Sequence, residues 1–202
     1  MAQDTEGNDL NSVGIPLTGF IAVQLEGTPT FVAAATGGGE QVELPSGYVK
    51  VGLFKDDGGP QDASDKDDDI EFFQDGYKLG GKQTRTVQVT LAEFNDIVRE
   101  LMTGKKPDSN GMIVVDEDNN ATFPIFTVVK YKNGVSVRRN GLGRIQAIEP
   151  DQDTRGEVKG NAVTFEWLFS DEIGGKYREW VYRPGSATAP VVPPASASTG
   201  GA

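Results

Sequence analysis

Two segments of the chain alternate with period two, and they set the class of fold. In 84–91, Thr84, Thr86, Gln88 and Thr90 fall on one side and Arg85, Val87, Val89 and Leu91 on the other. In 161–170, Val163, Phe165, Trp167 and Phe169 face one way, and Thr164, Glu166 and Ser170 the other. Successive side chains of a strand point to opposite faces of its sheet, so this pattern marks half-buried strands, one face in a core and one in water. Apolar runs at 19–25, 31–35, 48–54, 70–73, 112–115, 122–131, 135–139, 144–149 and 176–182 read as further strands. Asn133-Gly134 marks a tight hairpin of type I′. Gly141-Leu142-Gly143 lacks the third glycine and the following helix of a nucleotide loop, and reads as a turn.

The period changes once. Thr90 and Glu93 match a capping box, and Leu91, Phe94, Ile97, Val98, Leu101 and Met102 recur at three and four residues on one helical face. Gly104 ends the run and Pro107 prevents its resumption. One helix is expected over about residues 91–103, with Phe94 in its buried face. The fold class is mainly β.

Composition removes many functions. The 202 residues contain no His and no Cys. That excludes a Ser-His-Asp or Cys-His triad, histidine or thiolate metal sites, and disulfides. Thirty acidic against 19 basic residues give a net charge of −11, a surface that repels nucleic acid and anionic lipid. No apolar stretch is long enough to span a membrane, and the polar, acidic start is unlike a secretory signal, so a cytoplasmic site of synthesis is expected.

Residues 55–69 have almost no apolar content and hold Asp56, Asp57, Asp62, Asp65, Asp67, Asp68 and Asp69. Asp65, Asp67 and Asp69 form D-x-D-x-D, but an EF-hand loop would next need Gly where Ile70 stands and Glu where Gly76 stands. Asp116, Asp118 and Asn120 fail likewise, with Ala121 and Thr127 there. No metal or cofactor is expected; a solvated or partner-facing loop is. Trp167 and Trp180 read as core, and no aromatic-lined carboxylate pair marks a glycosidase. Residues 1–14 read as an N-terminal arm, 15–183 as the folded domain, and 184–202, rich in Pro, Ala and Ser, as an extended tail.

The order of elements carries a resemblance. Tyr48-Val49-Lys50-Val51-Gly52 precedes the acidic insertion. Thr86-Val87-Gln88-Val89-Thr90-Leu91-Ala92-Glu93-Phe94-Asn95 leads into the helix and Gly104. Val163-Thr164-Phe165-Glu166-Trp167 lies near the end. Over about residues 15–183 the chain resembles the major tail tube proteins of long, non-contractile (siphovirus-like) phage tails, particularly those of phages of actinobacteria. The resemblance implies a β-sandwich or barrel-like subunit with one flanking helix. Its inner strands would join those of five copies into a ring β-barrel, and rings would stack into a tube for genome ejection. It implies a non-enzymatic virion protein, assembled in the host cytoplasm. Its partners would be itself, a tape measure protein and tail terminator or distal tail proteins, with double-stranded DNA in transit but not specifically bound. Many relatives append an Ig-like domain; here only the tail follows.

Under that reading, the acidic residues of 55–69 meet Arg138, Arg139 or Arg155 of neighbouring subunits or rings, the loop being too polar to pack on its own subunit. The lumen is lined by Thr86, Gln88, Gln146, Glu149, Thr164 and Glu166, the polar sides of alternating strands. A β-sandwich carbohydrate-binding or adhesion module is the alternative, and an acidic β-rich hydrolase a third reading. Rings or tubes against small globules in negative stain separate them.

Overall fold

A computed structural model describes residues 5–9, 12–74, 76–117 and 119–185. Part of the expected arm (1–4, 10 and 11), Asp118, and the expected tail from 186 onward lie outside them. The elements are β1 (Pro16–Val23), β2 (Val49–Lys50), β3 (Gln61–Lys66), β4 (Ile70–Glu71), β5 (Lys78–Leu79), β6 (Gln83–Leu91), α1 (Asp96–Thr103), β7 (Thr122–Tyr131), β8 (Ser136–Pro150), β9 (Asn161–Leu168) and β10 (Tyr177–Tyr182). The protein is mainly β, as its alternation requires. One antiparallel sheet runs in the order β2-β1-β7-β8-β9-β6-β3, with β10 also on β8; β4 and β5 form a separate hairpin.

The fold turns on β8. One of its edges pairs with β7 through residues 136–144. The other pairs first with β10 through residues 136–141 and then with β9 through residues 142–150. β8 therefore belongs to two half-sheets, β2-β1-β7-β8-β10 and β8-β9-β6-β3. The expected turn at Gly141-Leu142-Gly143 is instead the middle of this strand. Its glycines permit close approach where the sheet folds over: a Cβ on Gly141 would meet the Lys176 carbonyl and the Trp167 ring, and one on Gly143 the Ile125 side chain and the Glu166 carbonyl.

The inner faces of the halves share one core. Ile21 and Val23 of β1, Phe123 and Ile125 of β7, Val87, Val89 and Leu91 of β6, and Val163, Phe165 and Trp167 of β9 are all buried in it. Phe123 meets Phe165 edge-on at 6.3 Å. One end is stitched shut: Val51 N–H donates to the Ile21 carbonyl at 3.1 Å, while Lys55 N–H donates to Thr90 and Ala92 N–H to Leu53, both at 2.9 Å. Segment 51–55 thus joins the edge of β1 to the end of β6.

A second cluster, Val32, Phe126 and Val128, lies on the far face of β1 and β7 under segment 24–48. The strand expected at 31–35 is absent because side chains satisfy its backbone. Asn140 Oδ1 accepts from Val32 N–H at 2.6 Å, Arg178 donates to the Val32 carbonyl at 2.9 Å, and Trp180 Nε1 donates to the Ala34 carbonyl at 3.0 Å. Tyr48 donates to the Thr30 carbonyl at 2.7 Å and accepts from Asn140 at 2.9 Å, and burial pushes its phenol up to about 12.

The helix is shorter than the spacing implied. Asn95, not Thr90, caps it: its Oδ1 accepts from Val98 N–H at 2.9 Å. Glu93 instead accepts from Leu53 N–H at 2.8 Å and Asn95 Nδ2 at 2.9 Å. Leu91 ends β6, and Phe94 falls in the turn before the helix, where it is 69% exposed rather than buried. Val98 and Leu101 are the buried residues of the helix. Gly104 stops it in the left-handed region, and Asn119 satisfies the last turn by donating to Leu101 and Met102 carbonyls. The hairpin at 131–135 lies where expected but has another turn. Gly134 alone has positive φ, and Tyr131 N–H donates to Val135, giving a three-residue loop in place of type I′.

Candidate functional site

The half-sheet β8-β9-β6-β3 presents its outer face to solvent. Thr86 stands opposite Glu166 and Gln88 opposite Thr164 across β6 and β9, with Gln88 Nε2 donating to Thr164 Oγ1 at 3.2 Å. Glu149 pairs with Ala162 and lies on the same side. On β3, Ala63 and Gln61 continue these rows opposite Thr86 and Gln88. Five of the six residues expected on one polar wall thus share a face. The sixth, Gln146, is the extra residue of a bulge between Ile145 and Ala147, exposed and without a partner on β9.

Glu166 differs from a free wall carboxylate. It is buried, with Oε2 accepting from Arg144 Nε at 3.0 Å and Nη2 at 2.7 Å, and with Lys82 Nζ 3.9 Å from Oε1. Arg144 and Lys82 escaped sequence reasoning because nothing local ties them to Glu166; the register of β8 against β9 brings Arg144 opposite it.

Both ends of this half-sheet are open. Among the described residues, no strand pairs with the outer edge of β3 (Gln61–Lys66) or with residues 145–150 of β8 on the side that β7 leaves at Arg144. The two free stretches have equal length. β8, β9, β6 and β3 alternate in direction, so β3 of one copy meets β8 of another antiparallel.

The acidic segment is not the free loop its composition suggested. Residues 61–66 form β3 against β6, within their own subunit. Asp62 faces inward and, with Glu179 of β10, forms an ion pair with Arg139. Asp65 lies on the outer face opposite Thr84. Asp56, Asp57, Asp67, Asp68 and Asp69 are exposed outside the strands, Asp69 paired with Lys66 at 2.7 Å. Lys66, and then the Gly81 N–H, hold the Asp69 carboxyl below the usual carboxylate range. Arg138 is buried. It donates to the carbonyls of Gly37, Gly39 and Glu40, so it is committed to segment 24–48 of its own subunit rather than to an acidic partner. Arg155 is exposed in loop 151–160. Lys55 pairs with Asp151 at 2.8 Å. The ion pair and the Gly160 N–H hold the Asp151 carboxyl below its ordinary range.

Among the described residues, no group of three or more acidic side chains could hold a metal ion, and no helix is long and apolar enough to cross a membrane.

No family model matches the sequence, and no curated protein matches it. Among solved structures, the chain is similar to the SPP1 tail tube, determined by solid-state NMR and cryo-EM. The similarity covers 73% of this chain and 72% of that one, at 13% identity and a TM-score of 0.37.

Proposed function

We propose that this chain is a structural virion protein, a subunit of the tube of a long, non-contractile phage tail. Copies join edge to edge into hexameric rings, and rings stack into a conduit for the genome. The observation that carries this reading is the half-sheet β8-β9-β6-β3: it is polar on its outer face and, among the described residues, ends on both sides in unpaired stretches of equal length and opposite direction. Unpaired edges are a liability for a monomer and a means of closure for a ring. Four alternating strands per copy let β3 of each subunit pair with β8 of the next without breaking the alternation.

In the ring the polar face lines the lumen through Thr86, Gln88, Glu149, Thr164 and Glu166, with Gln146 at the bulge. Six copies at −11 each bring roughly −66 to a ring, a like charge that keeps DNA from sticking in transit. The exposed acids Asp56, Asp57, Asp67 and Asp68 and the exposed Arg155 face neighbouring copies. Residues 15–183 form the tube domain, with 1–14 and 184–202 as arm and tail. Assembly takes place in the host cytoplasm, with a tape measure protein and tail terminator or distal tail proteins as further partners. The subunit performs no catalysis. Size-exclusion chromatography with negative-stain imaging tests this: rings or tubes are expected. A monodisperse monomer at high concentration that turns over glycan or ester substrates overturns it.

A further inference from the structure

The hairpin β4–β5 is at odds with its own subunit. Ile70, Phe72, Phe73, Tyr77 and Leu79 are all more than half exposed, Phe73 fully. Among the described residues, its hydrogen bonds run within it: Phe72 N–H to Tyr77, Tyr77 N–H to Gln74, and Lys78 to Glu71. An isolated two-stranded hairpin is marginal in water, and an aromatic tip on one is a docking element.

The same chain carries a matching recess elsewhere. A groove of about 360 Å³ lies between α1 and segment 112–115, lined by Phe94, Met102, Ile113 and Val115 beside Arg99. Its outer wall is tied in place, since Arg99 donates to the Gly111 carbonyl at 2.7 Å and Lys105 to the Val114 carbonyl at 3.1 Å. That is why 112–115, though apolar, is not a strand: its run is held as a wall rather than laid into a sheet. Phe94 and Val115 are 69% and 63% exposed in it.

We propose that the aromatic tip, Phe72, Phe73 and Tyr77, inserts into this helix groove of a second copy of the chain. Knob and recess are different surfaces of one molecule, so the contact is head-to-tail and propagates from copy to copy instead of ending at a dimer. Area decides between a dimer and an assembly. At about 200 Å² per aromatic, weighted by exposure, the tip buries about 450 Å², and with an equal share from the groove the contact totals about 900 Å². That is below the roughly 1,200–2,000 Å² of a stable pairwise interface. One insertion alone leaves the subunit monomeric; insertion added to edge pairing, repeated around a ring, does not. The inference rests on the proposed self-assembly and identifies what the assembling surface grips.

The absence of cysteine from the chain makes the test direct. Phe73→Cys combined with Val115→Cys, both exposed and so tolerated by the fold, is treated with a short bis-maleimide reagent. Linked dimers and a ladder of higher species are expected. Neither single variant should link, nor should Phe73→Cys with Leu53→Cys, which places the second thiol on another exposed apolar surface. Linking by Phe73→Cys alone means tip-to-tip pairing and overturns the proposal, as does linking of the Leu53 pair. Rings or tubes in negative stain without a 73–115 link overturn the docking but leave the tube reading standing. A 73–115 ladder without rings supports the docking and removes the tube. An unlinked monomer removes both.

Discussion

Lysine at Glu166 and lysine at Glu149 make the same formal change on the same sheet face, and the structure separates their effects. The Glu166 side chain is 5% exposed and takes two hydrogen bonds from Arg144, with Lys82 close by. Reversal removes charge-assisted hydrogen bonds worth about 1.5–3 kcal/mol. It also sets a third cation beside two others. Two like charges 4 Å apart repel by about 4 kcal/mol at an effective dielectric of 20. That figure is an upper bound, because the Arg144 and Lys82 side chains are 48% and 71% exposed and can swing into water. A loss of about 3 kcal/mol in subunit stability is the expected outcome, in the range for breaking a buried pair. Glu149 is exposed and makes no ion pair among the described residues, so Glu149→Lys should stay within about 0.5 kcal/mol of the parent. Urea denaturation followed by tryptophan fluorescence measures both. A Glu166→Lys variant as stable as the parent, or a Glu149→Lys variant as weak as Glu166→Lys, refutes the reasoning. Glu149→Lys is then the clean probe of the lumen. It shifts the wall by two charges per copy and should slow genome ejection, more so at 0.01 M salt, where the screening length is about 30 Å, than at 0.15 M, where it is about 8 Å.

Leu101→Ala should cost about 2–5 kcal/mol, since Leu101 is fully buried beneath the helix. Phe94→Ala should cost less than about 1 kcal/mol, and equal losses in denaturant titrations would contradict the placement of the helix start. Asn95→Ala should cost about 1 kcal/mol through the lost N-cap, read as a drop in melting temperature. Tyr48 carries a raised folded-state pKa, so the unfolded chain loses that proton first. Stability should therefore be intact below pH about 10 and fall as pH rises toward the folded value of about 12. Tyr48→Phe should flatten this alkaline limb in pH-dependent unfolding.

What the sequence disclosed follows from where its periodicity was enforced by burial. Val87, Val89 and Leu91, and Val163, Phe165 and Trp167, read correctly because a core on one side demands period two. β3 did not read as a strand because all six of its residues are exposed; its order comes from the ladder to β6 and from Asp62 reaching Arg139, neither of which composition can show. Apolar runs at 31–35 and 112–115 misled in the opposite direction. Their backbones are held by distant side chains, Asn140, Arg178 and Trp180 for the first and Lys105 for the second. The polar row Thr86, Gln88, Thr164 and Glu166 was legible as a row, but its neutralising partner Arg144 was not. That pairing exists only once the register of β8 is known.

The topology has a consequence for synthesis on the ribosome. β7, β8, β9 and β10 form a contiguous block late in the chain, whereas β6 must wait for β9 and β1 for β7. Translation at about 5–20 residues per second separates the end of β6 at Leu91 from the start of β9 at Asn161 by roughly 4–14 s. Throughout that interval Val87, Val89 and Leu91 lack Val163, Phe165 and Trp167, the part of their core that β9 supplies. A nascent chain arrested before residue 161 should leave them open to protease, and chains made in bulk pass through this vulnerable stage before a single subunit is complete.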